Sequence, residues 1–467
     1  MNNIVCVDCG ASSTRFNGEN SQIVVIPNNC FAFKEGRFMY PPYSENINDC
    51  LEVIIKKNSG NPVEGISFPI HVAYGSVARR MSSTNMRPSI TVPKHEQMIN
   101  IASILTSVAI EKAANGLGEK ISLFLALPPA EARESHQKVS DILVGNYTVE
   151  LPLWGVCGTV INFEITDVHC HAESNMATVA FFFDEKAAPR ECGRPYENRK
   201  ILSVNIGAST TDIAIIENRK YIESSGVTYK IGGNMLRDEL NQKILSKYGF
   251  EPSQEETEKA IQEGRIQCGA EFMDVSELLT ECKANLANAI IEKINTYFNN
   301  NGTTIQSFSG ILTSGGGSLS SQYFNEQMQP VKTSEPLFYF ISQQLLKICK
   351  TVNVINFEDS GQDPRLADII GLRIRAIVEK INEEQMEKRR RDIEEAQRAA
   401  QAQAIAMAQP MTQPVAQVNE VKNQQKVPQY GEPGFQPIRQ PDVAVQTGDN
   451  TEQNVAVAQR EIDVIPT

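Results

Sequence analysis

The chain has 467 residues, enough for two or three domains of ordinary size. Its 44 Lys and Arg residues against 56 Asp and Glu residues give a formal net charge of −12, which disfavours wrapping nucleic acid around the whole surface. No run of about 18 uninterrupted apolar residues predicts a membrane span, and the start, MNNIVCVDCG, lacks the basic segment of a signal peptide. We therefore expect a cytoplasmic protein without a membrane anchor.

Short apolar runs alternate with longer helical patterns over the first 381 residues. NIVCVDCG, ISLFLALP, ILSVNIG and FSGILTSGGG are typical of buried strands. HEQMINIASILTSVAIEKAANG and MDVSELLTECKANLANAIIEKINTYF are typical of helices. This alternation predicts an α/β architecture.

The composition changes near residue 382. Residues 382–408 favour helix but have no sustained apolar stripe, so they predict a polar helical extension. Their EKRRR run is more typical of a solvated helix face than of a nucleic-acid patch. Residues 409–467 are rich in Gln, Pro, Asn and Val, and we expect them to be disordered.

The ten cysteines are scattered through a long chain, which favours reduced thiols over a disulfide framework. Cys6 and Cys9 form a C-x-x-C pattern, but within a strand that odd spacing places the two side chains on opposite faces. We therefore expect buried thiols rather than a metal site.

One short segment occurs twice. VDCGASSTRF (7–16) and VNIGASTTDI (204–213) align without a gap, and each follows an apolar run. Such a repeat predicts two related domains that each contribute an equivalent hairpin. The polar and small residues of the first copy are Asp8, Gly10, Ala11, Ser12, Ser13, Thr14 and Arg15, and those of the second are Asn205, Gly207, Ala208, Ser209, Thr210, Thr211 and Asp212.

The composition of this hairpin suits a phosphate group. Glycine permits a tight turn and a close approach of the backbone to a ligand. The small residues after it expose backbone N–H groups and hydroxyl donors, and phosphate oxygens accept several hydrogen bonds at once. Two such hairpins facing each other would hold a polyphosphate between the domains, whereas a single copy alone is equally compatible with an ordinary small-residue turn.

Two further glycine-rich segments follow. SGILTSGGGSLS (309–320) is an apolar strand that runs into three glycines, where a purine and its ribose could lie against the backbone. YKIGGNMLRDEL (229–240) places a glycine pair before a helix, whose first N–H groups are free to bind. Neither a P-loop nor a G-x-G-x-x-G motif occurs. The candidate binding residues here are Gly232, Gly233, Asn234, Gly315, Gly316, Gly317 and Ser318.

These segments, in this order, resemble the motifs of the actin/sugar-kinase/heat-shock-chaperone ATPase superfamily. DPRLADIIGLRI (363–374) is similar to its closing helix segment, and LFLALPPAEAR (123–133) is closest to the ParM-type plasmid-segregation actins. The resemblance implies two α/β domains of ribonuclease-H type, with ATP or GTP and Mg²⁺ in the cleft between them. It implies a domain I of 1–166 plus 336–381 and a domain II of 167–335.

The resemblance also implies roles for single residues. Glu173, in TDVHCHAESNMATVA, stands where the ParM-like group has the acid that orients the attacking water, although by itself it could be an ordinary helix-start residue. Asp8 and Asp212 would lie near Mg²⁺ through its waters, and Arg15 would contact phosphate. The expected catalytic residues are Glu173 and Asp212. Asn205 departs from the Asp that many members carry, which removes one negative charge.

The resemblance implies a filament-forming actin-like ATPase that moves or segregates plasmid or phage DNA through an adaptor protein. Its partners would be further copies of itself and that adaptor, without direct wrapping of nucleic acid and without a membrane. One alternative is a small-molecule kinase or a non-polymerising nucleotide-binding member of the same superfamily, although no catalytic Asp over an acceptor hydroxyl is recognisable. A chaperone would need a folded domain after residue 381, and a membrane-tethered actin would need an amphipathic helix.

Overall fold

Two β-sheets organise the computed structural model, which describes residues 3–33, 51–63, 65–75, 78, 88–89, 92–152, 158–316, 321–324 and 329–408. The described residues up to 379 belong to one compact unit, and residues 380–408 belong to a second. Within these described ranges, no helix has the length and apolar character needed to span a bilayer.

The first sheet has nine strands in the order β3-β2-β1-β7-β9-β8-β5-β6-β4. Its centre is parallel, since β7 pairs in parallel with both β1 and β9, and the outer pairs are antiparallel. The strands are β1 Asn3–Cys9, β2 Ser13–Gly18, β3 Val24–Pro27, β4 Cys30–Ala32, β5 Glu52–Ser59, β6 Ile70–Tyr74, β7 Lys120–Leu127, β8 Gly145–Leu151 and β9 Thr159–Ala172.

The second sheet has the order β12-β11-β10-β16-β19, and β13 also pairs with β11. Strands β10, β16 and β19 are parallel, and β11 is antiparallel to β10. Two small hairpins, β14–β15 and β17–β18, lie outside this sheet. The strands are β10 Lys200–Ile206, β11 Thr211–Glu217, β12 Lys220–Tyr221, β13 Val227–Tyr229, β14 Arg265–Cys268, β15 Glu271–Asp274, β16 Gly310–Ser314, β17 Ser321–Phe324, β18 Pro330–Ser334 and β19 Asn353–Asn356.

Helices cover both faces of the two sheets, which explains why the central strands are apolar on both sides. One apolar core lies between the first sheet and the helices at 98–143, and another between the second sheet and the helices at 233–348. The helices are α1 Met98–Asn115, α2 Pro129–Glu134, α3 His136–Leu143, α4 Glu173–Phe182, α5 Gly233–Tyr248, α6 Gln254–Glu263, α7 Ser276–Asn300, α8 Leu337–Ile348 and α9 Ala367–Ala408.

A third apolar core joins the two sheets. It contains Ile4 and Phe124 from the first sheet, Ile201 and Leu312 from the second, and the buried faces of α4 and of the first part of α9. The two helices cross so closely at Gly371 that a Cβ atom there would lie 1.8 Å from the carbonyl oxygen of Met176. The crossing therefore requires the absence of a side chain.

The two sheets repeat one topology. In each, an antiparallel hairpin (β1–β2 or β10–β11) is followed by two strands parallel to its first strand (β7 and β9, or β16 and β19). The helix that follows the last parallel strand, α4 in one case and α9 in the other, packs in the shared core. The internal repeat in the sequence thus corresponds to a repeat in the fold.

The strand pairing departs from the predicted domain boundaries in two places. Residues 167–172 belong to β9 and therefore to the first sheet, because this strand runs unbroken from Thr159 to Ala172. Residues 337–356 lie with the second sheet, because β19 pairs with β16 and α8 packs in the second core. Residues 382–408 lie within α9, and the predicted disordered tail at 409–467 lies outside the described residues.

The two thiols of the C-x-x-C pattern lie on opposite faces of β1, as their spacing predicts. Cys6 packs in the core that joins the sheets, and Cys9 packs in the first core. Burial raises the pKa of both thiols. The cysteines of the described residues are all free thiols, namely Cys6, Cys9, Cys30, Cys170, Cys192, Cys268, Cys282 and Cys349.

Candidate functional site

The two copies of the repeated segment form hairpins with the same register. Cys9 pairs with Thr14 in the first, and Ile206 pairs with Thr211 in the second. Each turn is closed by the same hydrogen bond, from the N–H of the glycine to the carbonyl oxygen three residues later, at 3.0 Å for Gly10 and 2.8 Å for Gly207. The gapless alignment of the sequences is therefore also an alignment of backbone hydrogen bonds.

The first hairpin is supported from behind by Asn28. The Asn28 side-chain amide donates to the carbonyl oxygen of Gly10 at 2.5 Å, and its backbone N–H donates to that of Ser12 at 2.9 Å. Ser103 in turn donates its hydroxyl proton to the Asn28 amide oxygen at 2.7 Å. The carbonyl oxygens of this turn are thus occupied on the inner side.

The second hairpin is supported by the glycine pair at the start of α5. The N–H of Gly233 donates to the carbonyl oxygen of Gly207 at 3.0 Å, and the N–H of Asn234 donates to that of Ala208 at 2.6 Å. The Asn234 side chain also donates to the Ser209 hydroxyl at 2.8 Å. The predicted binding residues of this segment therefore touch the second hairpin.

The outward side of both turns offers free donors. Within the described part of the chain, the backbone N–H groups of Ala11, Ser12, Ala208 and Ser209 donate to no protein acceptor. Consecutive free N–H groups in a turn form the concavity in which proteins bind anions. These positions suit the phosphate oxygens for which the sequence predicted them.

The first glycine of the predicted purine segment serves the protein itself. Gly315 has a φ of 91°, and a Cβ atom there would lie 2.3 Å from the carbonyl oxygen of Ile206. Only glycine fits a backbone in this region so close to the second hairpin. Gly316 lies near Arg365, and the predicted Gly317 and Ser318 lie outside the described residues.

Glu173 begins α4 and lies among charged groups from both sheets. Its carboxylate accepts a short hydrogen bond from the Lys94 ammonium, and it is also hydrogen-bonded to Asp212 of the second hairpin. Asp212 accepts a further hydrogen bond from the Thr228 hydroxyl at 2.5 Å. The two predicted catalytic residues are thus in direct contact.

The protonation of this group follows from its burial. Burial raises the pKa of Glu173, and the Lys94 ammonium opposes that rise. The pKa of Asp212 lies well above its ordinary value, because it is buried and because Glu173 lies beside it. Burial lowers the pKa of Lys94, but the carboxylates of Glu173 and Asp8 outweigh that effect, so the pKa is raised and the ammonium stays charged.

The first hairpin contributes an ion pair. Arg15 donates to an Asp8 carboxylate oxygen at 2.8 Å, and both residues lie on adjacent positions of β1 and β2. The Asp8 side chain is almost fully buried, and its charge raises the pKa of Lys94. Asp8 was predicted to lie near Mg²⁺ and Arg15 was predicted to contact phosphate. In this structure the two side chains bind each other.

Asn205 has a carboxylate partner that the sequence did not reveal. Its side-chain amide donates to both carboxylate oxygens of Asp368, at 3.0 and 2.9 Å, and Asp368 lies in the first turn of α9. Burial and the neighbouring carboxylates of Asp8 and Glu173 raise the pKa of Asp368 well above its ordinary value. The carboxyl group of Asp368 therefore lies one contact away from Asn205.

Among the residues that the structure describes, the site contains four acids and two bases. The acids are Asp8, Glu173, Asp212 and Asp368, and the bases are Arg15 and Lys94. No group of three metal-binding side chains close enough to hold an ion occurs in the described ranges. The oxygen-rich, acidic donor set fits Mg²⁺ that keeps its own water shell, as that ion prefers.

The two histidines near Glu173 in sequence belong to another cluster. His169 stacks on Phe124 with ring centroids 4.3 Å apart and contacts Asp167 at 3.1 Å and Glu379 at 3.3 Å. These partners raise the pKa of His169 to about 9. The His171 side chain is 16% exposed, and desolvation lowers its pKa to about 4. Both side chains pack against β7 and α9.

Comparisons with known proteins identify related folds. Residues 203–325 match the family model for the archaeal actin homologue MreB-like, C-terminal region. A search of curated proteins gives no significant match.

Several solved structures cover most of the chain. The actin-like protein Alp7A aligns with a TM-score of 0.61 and 16% identity, over 83% of this chain and 100% of that one. ParM of Bacillus thuringiensis with ATP aligns with a TM-score of 0.56 and 18% identity, over 81% and 99%. A ParM subunit from a 15-stranded Clostridium botulinum filament aligns with a TM-score of 0.55 and 17% identity, over 80% and 98%.

These likenesses cover 80–83% of the chain, and at such identities they concern the fold. The predicted α/β architecture with two related domains is confirmed. The chain has the two-domain actin-like fold.

Proposed function

We propose that this chain is a filament-forming, actin-like ATPase of a prokaryotic or phage cytoskeleton. The observation that carries the proposal is the pair of hairpins with free N–H groups that converge on Glu173 and Asp212. The solved ParM with ATP and the ParM filament support it, since both proteins have this fold. The substrate is ATP or GTP, the compartment is the cytoplasm, and the cargo is plasmid or phage DNA that is bound through an adaptor protein.

In this proposal the hairpins bind the phosphates and Glu173 orients the attacking water. As the water oxygen forms a bond to the γ-phosphorus, the bond from that phosphorus to the bridging oxygen breaks, and the nucleoside diphosphate leaves with the electron pair. A water proton passes to the phosphate oxygens. Mg²⁺ held through water near Asp8 and Asp212 would neutralise charge on the phosphates.

The proposal is tested on the full chain by right-angle light scattering together with phosphate release after addition of Mg²⁺ and ATP or GTP. We expect scattering to rise above a critical protein concentration and to decay as phosphate appears. In Glu173→Gln, phosphate release should fall about 100-fold while assembly persists, because an uncharged amide orients water poorly. Glu134→Gln, at an exposed position of α2, is the matched control and should behave as wild type. Failure of the wild type to bind or hydrolyse either nucleotide would contradict the proposal.

A further inference from the structure

Lys94 lies where it can take part in the proposed reaction, although no sequence motif predicted a role for it. It lies in a short 3₁₀ turn, Lys94–Glu96, directly before α1. Its ammonium reaches Glu173, the first residue of α4, which is 79 positions away in the chain. Among the described residues, it is the only base that hydrogen-bonds Glu173.

The backbone of this turn is held by Glu131 of α2. The Glu131 carboxylate accepts the N–H groups of Lys94 and His95, both at 3.0 Å, and lies 2.6 Å from Nδ1 of His95. The carbonyl oxygen of Lys94 accepts from the Asn100 side chain at 3.2 Å. The main chain is therefore fixed on several sides, while the four methylene groups of the lysine leave the ammonium able to pivot.

The contacts of Glu173 occupy part of the acceptor capacity of its carboxylate. Its carboxylate is engaged by the Lys94 ammonium and by Asp212 at the same time. A group that orients a nucleophilic water needs a free oxygen lone pair within hydrogen-bond distance of that water. In this state Lys94 competes with a water molecule for the Glu173 carboxylate.

The γ-phosphate of a bound nucleoside triphosphate would compete with Glu173 for the Lys94 ammonium. The γ-phosphate adds oxygens with a higher charge density than a single carboxylate, and a lysine binds such a group as a point charge. Arg15, the other base of the site, is already paired with Asp8. The Lys94 ammonium is thus the cation that can move to a new anion without breaking the ion pair within the first hairpin.

We propose that Lys94 distinguishes a nucleoside triphosphate from a diphosphate by transferring its ammonium from Glu173 to the γ-phosphate, which frees the Glu173 carboxylate to orient water. This inference rests on the proposed function. Lys94 is then both the sensor of the third phosphate and the group that keeps Glu173 engaged until that phosphate arrives. After phosphate leaves, the ion pair forms again.

The test measures binding of Mg²⁺-ADP and of the Mg²⁺ complex of the β,γ-imido analogue of ATP to the full chain by isothermal titration calorimetry. The readout is triphosphate preference, the ratio of the two dissociation constants. In Lys94→Met we expect this preference to fall about tenfold, with ADP affinity changed less than about twofold, because a charge-assisted bond to the γ-phosphate is lost. Lys120→Met, at an exposed position of β7, is the matched control and should keep the wild-type preference.

Two more variants complete a double-mutant cycle. They also show whether a change in triphosphate preference comes from an unpaired buried charge. Glu173→Gln releases the ammonium from its ion pair, so its triphosphate preference should rise about threefold or more above wild type. The double variant Lys94→Met with Glu173→Gln leaves no unpaired buried charge from this pair and should lose the preference as Lys94→Met does. Circular dichroism verifies the fold of each variant.

The outcomes separate the two claims. If the wild type binds neither nucleotide, the proposed function fails and this inference fails with it. If the wild type binds both but shows no triphosphate preference, or if the double variant keeps that preference, the inference alone is overturned. A lower preference in both Lys94 variants and a higher one in Glu173→Gln would support it.

Discussion

The close crossing of α4 and α9 makes Gly371→Ala a decisive substitution. In an ordinary helix this change adds about 1 kcal/mol of stability, because glycine has a lower helix propensity than alanine. Here the new Cβ atom would lie 1.8 Å from the carbonyl oxygen of Met176, whereas ordinary contact begins at 3.4 Å. The two helices would have to separate locally by about 1.6 Å.

The surrounding core gives the helices no direction in which to move at low cost. Met176 and Ala177 on α4 and Leu372 on α9 are completely buried in the core that joins the sheets. A gap of 0.5–1 Å already forfeits about a quarter to a half of the dispersion energy of the contacts that line it. Overpacking of this kind typically costs about 1–3 kcal/mol, and rigid backbone atoms place it at the upper end. We expect a net loss of about 3 kcal/mol in the free energy of unfolding.

The assay is urea unfolding followed by circular dichroism at 222 nm, with thermal unfolding as a second measurement. A loss of this size should lower the Tm by about 5 °C. Gly233→Ala is the matched control, since it is also a helical glycine but its Cβ atom would meet nothing closer than 3.8 Å. Its stability should stay within about 1 kcal/mol of wild type. A Gly371→Ala protein as stable as wild type would refute the argument from the helix crossing.

Three further predictions concern charged groups. Asp368→Asn removes one of four crowded carboxylates. It should therefore stabilise the metal-free protein by about 1 kcal/mol, measured by urea unfolding, and weaken Mg²⁺-nucleotide binding severalfold, measured by calorimetry. Asn205→Asp should destabilise the metal-free protein by about 1–2 kcal/mol, and Mg²⁺ with nucleotide should restore the loss; an equal loss with and without Mg²⁺ would contradict this. His169→Gln should cost about 2 kcal/mol below pH 6.5 and progressively less as the pH rises through about 9. The reason is that the pKa of His169 is raised by Asp167 and Glu379 in the folded state, so its stabilising charge is lost at high pH; unfolding at pH 6 and pH 9.5 tests it.

Local sequence patterns predicted the turn chemistry of the site. The small and polar residues inside ILSVNIGASTTDIAII do form a hairpin turn at the end of a buried strand, and the N-terminal copy forms the same turn. Such turns depend on residues that are adjacent in the chain, so their signal is contained in about ten consecutive letters.

The contacts that span long distances in the chain could not be predicted in this way. Lys94 reaches Glu173 across 79 residues, and Asn205 reaches Asp368 across 163. A lysine before an apolar helix, or an acid in the first turn of one, is usually solvated, and only the packing of α1, α4 and α9 brings these side chains together. The pairing of β19 with the second sheet was missed for the same reason, because strand order is decided by the whole fold.

The two hairpins carry different ionisable groups at one equivalent position. Their turns are closed by the same hydrogen bond, yet Arg15 of the first hairpin aligns with Asp212 of the second. A row of phosphates lying between them would meet a guanidinium on one side and a carboxyl group on the other, so the two sides of that row are not equivalent. On the proposed function, a duplicated and nearly symmetric backbone thereby becomes chemically asymmetric toward its substrate, because one base is exchanged for one acid.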